Sequence, residues 1–168
     1  SFFLGRPLEY LKLGSDGLRT RVSTQPINFD LLVIPSYTPD NLPGSDRFFM
    51  YDPMASIPYR HEVRPERSYD NMELAVRAYR QVWNFDVSGY AYKGFWRTPG
   101  VTTDDPMSPS EVIIFYPELN VYGASAQGRA PGGILSLEGG YYESRDDQMG
   151  NDPAIPNSQS RFLAGYQR

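Results

Sequence analysis

Along most of this chain, apolar and polar residues alternate with a period of two, and helical periodicity is scarce. That pattern predicts strands punctuated by Gly, Pro, Asn and Asp. In 18–24, Leu18, Thr20 and Val22 face one way and Arg19, Arg21 and Ser23 the other. Beyond Gln25-Pro26-Ile27, a second strand over about 28–37 sets Phe29, Leu31 and Val33 against Asp30. Strands are also predicted at about 71–82 and 85–97, joined at Trp83-Asn84, then at 112–128, 133–144 and 160–167. The segment 71–82 is rich in helix formers, with Asn71 a candidate cap. Strict alternation of Met72, Leu74, Val76 and Ala78 with Glu73, Ala75, Arg77 and Tyr79, two residues before another strand, favours a hairpin. In 112–128 neither Tyr122, Ala124 and Ala126 nor Val121, Gly123 and Ser125 is clearly the polar set, so its facing is left open.

The connections alternate in length. They are short at 25–27, 83–84 and 129–132, and long at about 38–70, 98–111 and 145–159. In an up-and-down sheet, successive connections lie at opposite ends, so all the short turns fall at one end and all the long loops at the other. Outer-membrane β-barrels have this asymmetry. Several predicted segments also match the length of about 9–11 residues that a tilted membrane strand needs, where strands of soluble sheets average about 5–6. The Gly139-Gly140 pair inside a strand is tolerable in a wall that needs no interlocked core. Tyr141 and Tyr142, Phe95-Trp96, Tyr37 and Trp83-Asn84-Phe85 are placed by this reading at the aromatic rims.

Composition adjusts this picture. The 168 residues suffice for one domain, include no cysteine, and carry a formal net charge of −4. A disulfide framework and thiolate metal sites are thereby excluded, and without a basic stripe nucleic acid is not an expected partner. No apolar run is long enough for a membrane helix. Ser1-Phe2-Phe3-Leu4 lacks the basic region of a signal peptide, so the chain is read as a mature form or a fragment. Mean hydropathy is negative, which does not exclude a membrane β-barrel, because its strands are apolar on one face only.

The runs "ELAVRAYRQVWNFDVSGYAYKGFWRTPG", "LNVYGASAQGRAPGGILSLEGGYYESRDD" and "NSQSRFLAGYQR" together resemble the wall of a Gram-negative outer-membrane β-barrel of the porin-like kind. The resemblance covers about 18–168 and is one of pattern, not of a signature motif. It implies an all-β, antiparallel, up-and-down transmembrane barrel with a polar interior, in contact with outer-membrane lipid and lipopolysaccharide and passing small solutes or ions. A homo-oligomer or a periplasmic partner is compatible with it. Seven strands are counted, or eight if Leu8–Leu13 spans. Bacterial barrels close on even numbers, and the chain ends Gly165-Tyr166-Gln167-Arg168 without a terminal aromatic. The expectation is therefore a single barrel domain over 1–168 that is part of a larger barrel.

If the apolar faces meet lipid, Arg19, Arg21, Asp30, Glu73, Arg77, Asp86 and Glu138 line the interior, because charge on the lipid face costs about 2–4 kcal/mol at midplane. Most of these would serve as paired wall residues; the sharper reading is a charged constriction. The aromatic and basic loop at 38–70 supplies a candidate constriction from Phe48, Phe49, Tyr51, Arg60 and Arg64. His61 is the sole histidine, and no metal ligands converge on it by spacing. Ser56 and Ser68 lack a supporting base. Asp104-Asp105 and Asp146-Asp147 offer too few donors for calcium. "Asp-Pro-Met" at 52–54 and 105–107 reads as coincidence. No enzymatic role, cofactor or metal is expected. The competing expectation is a soluble antiparallel β-barrel that holds a small apolar ligand, with its apolar set inward and its charges in water.

Overall fold

The computed structural model describes residues 16–39 and 52–168, an all-β arrangement in which no helix occurs among the described residues. The described residues form ten strands: β1 (Leu18–Ser23), β2 (Asn28–Ile34), β3 (Tyr59–Val63), β4 (Glu73–Val82), β5 (Phe85–Phe95), β6 (Gly100–Thr103), β7 (Glu111–Phe115), β8 (Glu118–Ala130), β9 (Gly133–Ser144) and β10 (Gln159–Gln167). Seven of them make one antiparallel sheet in the order β1-β2-β4-β5-β8-β9-β10. Among the described residues it is open: β1 and β10 each have a single neighbour. Leu8–Leu13 lies outside the described residues.

The hairpin over 71–85 forms as the alternation predicts. Its turn holds Trp83 at φ 53, a left-handed conformation that bulky residues seldom adopt, with the indole 92% exposed. Gly132, at φ 81, turns β8 into β9.

Two expectations are corrected. The strand predicted over 112–128 breaks at Tyr116-Pro117 into β7 and β8, because Pro117 cannot donate a ladder hydrogen bond. The long connections at 38–70 and 98–111 are not wholly irregular. They contribute β3 and β6, which join β7 in a second sheet of order β3-β7-β6, with β3 and β7 parallel. Its strands lie in the chain between β2 and β4 and between β5 and β8, so this sheet stands at the long-loop end. All three short turns of the large sheet lie at the other end, as its topology demands.

Cross-strand register sorts the large sheet into two unlike faces. One carries Val22, Phe29, Ala78, Gly89, Ala124, Gly139 and Phe162 in a single row, with Leu31, Val76, Tyr122 and Tyr141 in the next row toward the loops. Toward the turns the same face shows Val87, Ala126 and Leu137, then Phe85, Leu135 and Tyr166. Its charged residues, Arg80, Lys93, Glu118 and Glu143, stand near the strand ends. Among the described residues this apolar face is bare: Leu31, Val76, Leu137 and Phe162 are all exposed, Phe162 at 85%. The open facing of 112–128 is settled, with Tyr122, Ala124 and Ala126 on the apolar side and Val121, Gly123 and Ser125 on the polar side.

The buried core lies at the long-loop end. It comprises Ile34, Tyr37, Ile57, Phe95, Trp96, Val112 and Leu119. Ile34 and Leu119, together with buried Glu73 and Ser144, belong to the polar face. Among the described residues, the long connections cover the loop end of the polar face and, apart from Phe95 at the end of β5, leave the apolar face uncovered.

Candidate functional site

The polar face is the candidate site. Period-two alternation puts Arg19, Arg21, Asp30, Glu73, Arg77, Asp86 and Glu138 on it together, since register pairs Arg21 with Asp30, Asp30 with Arg77, and Ser125 with Glu138. Arg129 and Arg161 share the face, as do Tyr79, Tyr90, Ser88 and Ser125. The sequence reading missed this second group, although Arg161 beside Phe162 carries the same alternation signal.

At mid-height, the two oxygens of Asp30 are taken by neighbouring arginines. Arg19 Nη2 donates to Oδ2 at 2.7 Å and Arg21 Nε to Oδ1 at 2.9 Å. The carboxylate is nearly buried and the two arginine side chains are more than half exposed. Arg77 instead donates from Nε and Nη2 to Ser88 Oγ, at 3.2 and 3.0 Å. Its guanidinium lies 4.6 Å from the centre of the Tyr79 ring and 5.6 Å from that of Tyr90. The Tyr90 hydroxyl bonds Ser125 Oγ at 2.8 Å. Across the glycine pair Gly123–Gly140, Arg161 stacks on Tyr142 at 4.3 Å. An open hollow of about 350 Å³ lies among Arg19, Asp30, Arg77, Tyr90 and Tyr92.

Glu73 shares the face but is not open to it. Its side chain is fully buried under the loops. Oε2 accepts from the Tyr92 hydroxyl and from Arg97 Nη2 at 2.7 Å, and Oε1 has no hydrogen-bond partner among the described residues. Arg97 also donates to the Thr38 carbonyl at 2.8 Å and lies over the Tyr37 ring at 4.9 Å. Tyr37 packs on Phe95 and Tyr116 and donates to the Trp96 carbonyl at 3.1 Å. Burial pushes its phenol well above the usual range. Trp96 bonds Ser144 Oγ at 3.3 Å and stacks on Tyr142. Tyr37, Phe95 and Trp96 are thus core residues and not rim residues, and Tyr142 points to the polar face. Local sequence could not reveal this, because the loops that bury them come from distant segments.

Of the predicted loop constriction, Phe48, Phe49 and Tyr51 lie outside the described residues. Arg60, on β3, pairs with Asp52. Arg64 bridges Glu62 at 2.7 Å, and Tyr116 donates to the same carboxylate. The Arg64 guanidinium and the Tyr116 hydroxyl hold the Glu62 carboxyl below its usual range. His61 Nδ1 stands 4.0 Å from Glu111 Oε1 and is exposed. Among the described residues, no group of three or more metal-ligating side chains converges.

The acidic pairs build loops. Asp104 accepts from the Ser110 hydroxyl and from the backbone N–H groups of Glu111 and Ser110, which hold its carboxyl well below the ordinary range. Asp147 is lowered likewise by the N–H groups of Asp152 and Asn151. The repeated Asp-Pro-Met has a structural cause after all. Asp52 Oδ1 accepts from Met54 N and Asp105 Oδ1 from Met107 N, and Asp152-Pro153-Ala154 repeats the turn. These are turns closed by an aspartate side chain on the N–H two residues on.

Comparison with protein-family models, with curated proteins and with solved structures finds no match for this chain.

Proposed function

We propose that this chain forms wall of a porin-like β-barrel in a bacterial outer membrane, with its apolar face in lipid and its polar face lining a passage for small solutes or ions. The observation that carries the reading is the unlike pair of faces. A soluble sheet covers its apolar face, because exposed apolar patches beyond a few hundred Å² are rare in soluble monomers. Here the long connections cover part of the opposite face, and the apolar one stays bare with its charges near the strand ends. Three further features support it. Strands β4, β5, β8, β9 and β10 run 9 to 13 residues, near the length a tilted span needs. Tyr122 and Tyr141 toward the loops, and Phe85 and Tyr166 toward the turns, bracket the apolar band. Trp83, strained and almost fully exposed at the turn end, has a use at a lipid headgroup interface and none in water.

The open sheet is consistent with a wall continued by further strands, since lipid does not tolerate unpaired strand edges. The soluble-barrel alternative needs the apolar face curled inward around a ligand, away from the side where the core is packed. Gel mobility of the native protein, unheated against boiled in SDS, tests the proposal. A cold-resistant band that shifts on boiling is expected. A protein that stays in the soluble fraction and does not shift refutes it.

A further inference from the structure

We propose that Arg19, Arg21 and Arg77 form a site for small oxyanions, carboxylate or phosphate, on the polar face. The inference rests on the barrel-wall reading and names the class of solute that such a wall would favour. Three guanidinium groups surround a single carboxylate: register places Arg21, Asp30 and Arg77 side by side on β1, β2 and β4, and Arg19 reaches the same aspartate. Both oxygens of Asp30 are occupied by Arg19 and Arg21. Arg77, its direct neighbour across the ladder, bonds a neutral hydroxyl and makes no ion pair among the described residues. The cluster thus keeps two uncompensated positive charges. Asp86 and Glu138, the other carboxylates open on this face, stand on β5 and β9 and form no ion pair with it.

The donors are available as well as the charge. A guanidinium has five N–H groups in a fixed fork suited to two oxygens of one anion. Ser88 engages Arg77 through Nε and Nη2 only, and Asp30 engages Arg21 through Nε only. The Tyr79 and Tyr90 rings hold Arg77 flat to the wall, so little side-chain freedom remains to be lost on binding. The adjoining hollow of about 350 Å³ gives an oxyanion room to lie against Arg19 and Arg77. Arginine clusters of this kind favour anion passage in pores. The acidity that makes the whole chain net negative sits largely outside the large sheet, as Asp52, Glu62, Asp104, Asp105, Asp146 and Asp147 illustrate.

The test uses the native protein carrying this chain, reconstituted in neutral planar bilayers under a KCl gradient, with inorganic phosphate as the probe. Expected are a chloride-over-potassium permeability ratio above unity and a chloride current reduced by added phosphate. Arg77→Gln should lower the ratio by about twofold or more, because one of two uncompensated charges is lost, while Arg77→Lys should keep most of it. Should Arg77→Gln not assemble, Arg21→Gln, at a side chain 58% exposed, removes one charge from the same cluster while Arg19 still pairs with Asp30. Cation preference, or a ratio unmoved by either glutamine variant, overturns the inference while leaving the barrel reading standing. A native protein with no conducting species and no heat-shifted band overturns the barrel reading and this inference with it.

Discussion

Gly89 offers a direct probe of what the apolar face touches. It sits mid-strand on β5, exposed, between Ala78 and Ala124 in the register, and a Cβ built there meets nothing within 4 Å. A side chain introduced at this position therefore reports its medium and not a steric clash. If the face meets hydrocarbon, Gly89→Arg should destabilise the folded state by about 2–4 kcal/mol, the cost of a cation near the bilayer midplane. That is a loss of about 30- to 700-fold in the folded-to-unfolded ratio. Gly89→Leu should be neutral or stabilising. Gly165→Arg, on the polar face where a Cβ meets only Ser136 Cβ at 3.9 Å, should change little. If the face meets water, Gly89→Arg should stay within about 0.5 kcal/mol of wild type, as surface substitutions do, and Gly89→Leu should promote aggregation. The assay is urea titration of the native protein folded into lipid vesicles, read by the fraction that resists SDS when cold. Equal stabilities for Gly89→Arg and Gly165→Arg would refute the assignment of the two faces.

Three further outcomes are expected. Glu73→Gln should loosen the loop-end core by about 3 kcal/mol, near the low end for breaking a buried ion pair because Arg97 keeps one-third exposure; a urea midpoint for Trp96 fluorescence shifted by less than a third of that would show the pair to be dispensable. Asp104 has a folded pKa below its ordinary value of 3.8, so its loop closure is fully present above that pH and is lost as pH falls below it toward the folded value; protection of the Ser110 and Glu111 amides, taken relative to the intrinsic exchange rate at each pH, should fall over that acid range, and Asp104→Ala should abolish that change in protection. Trp83→Gly should relieve about 1–2 kcal/mol of left-handed strain in the turn, yet gain nothing in vesicles where the indole anchors at the interface; a full gain in vesicles would argue against that anchor.

What the sequence determined by itself is local and periodic. The side-chain period of a strand is two, so the facing of Arg19, Arg21, Asp30, Arg77, Asp86 and Glu138 followed from their spacing, and the structure puts them on one face. Connection lengths likewise fixed which end of the sheet would carry the loops, because antiparallel neighbours alternate direction. Tertiary structure decided whatever depends on residues far apart in the chain. Pairing between distant segments drew β3 and β6, from connections that lacked a clear periodic signal, onto β7, the first part of a predicted strand, as a second sheet. Tyr37, Phe95 and Trp96 looked like rim aromatics at their strand ends, and the loops around Ile57, Val112 and Ser144 turned them into core. Glu73 obeyed the alternation yet ended buried, because Arg97 and Tyr92 came to meet it. Period assigns a side chain to a face; only the fold decides what covers that face, since burial is a sum over contacts from the whole chain and alternation records only the strand's own geometry.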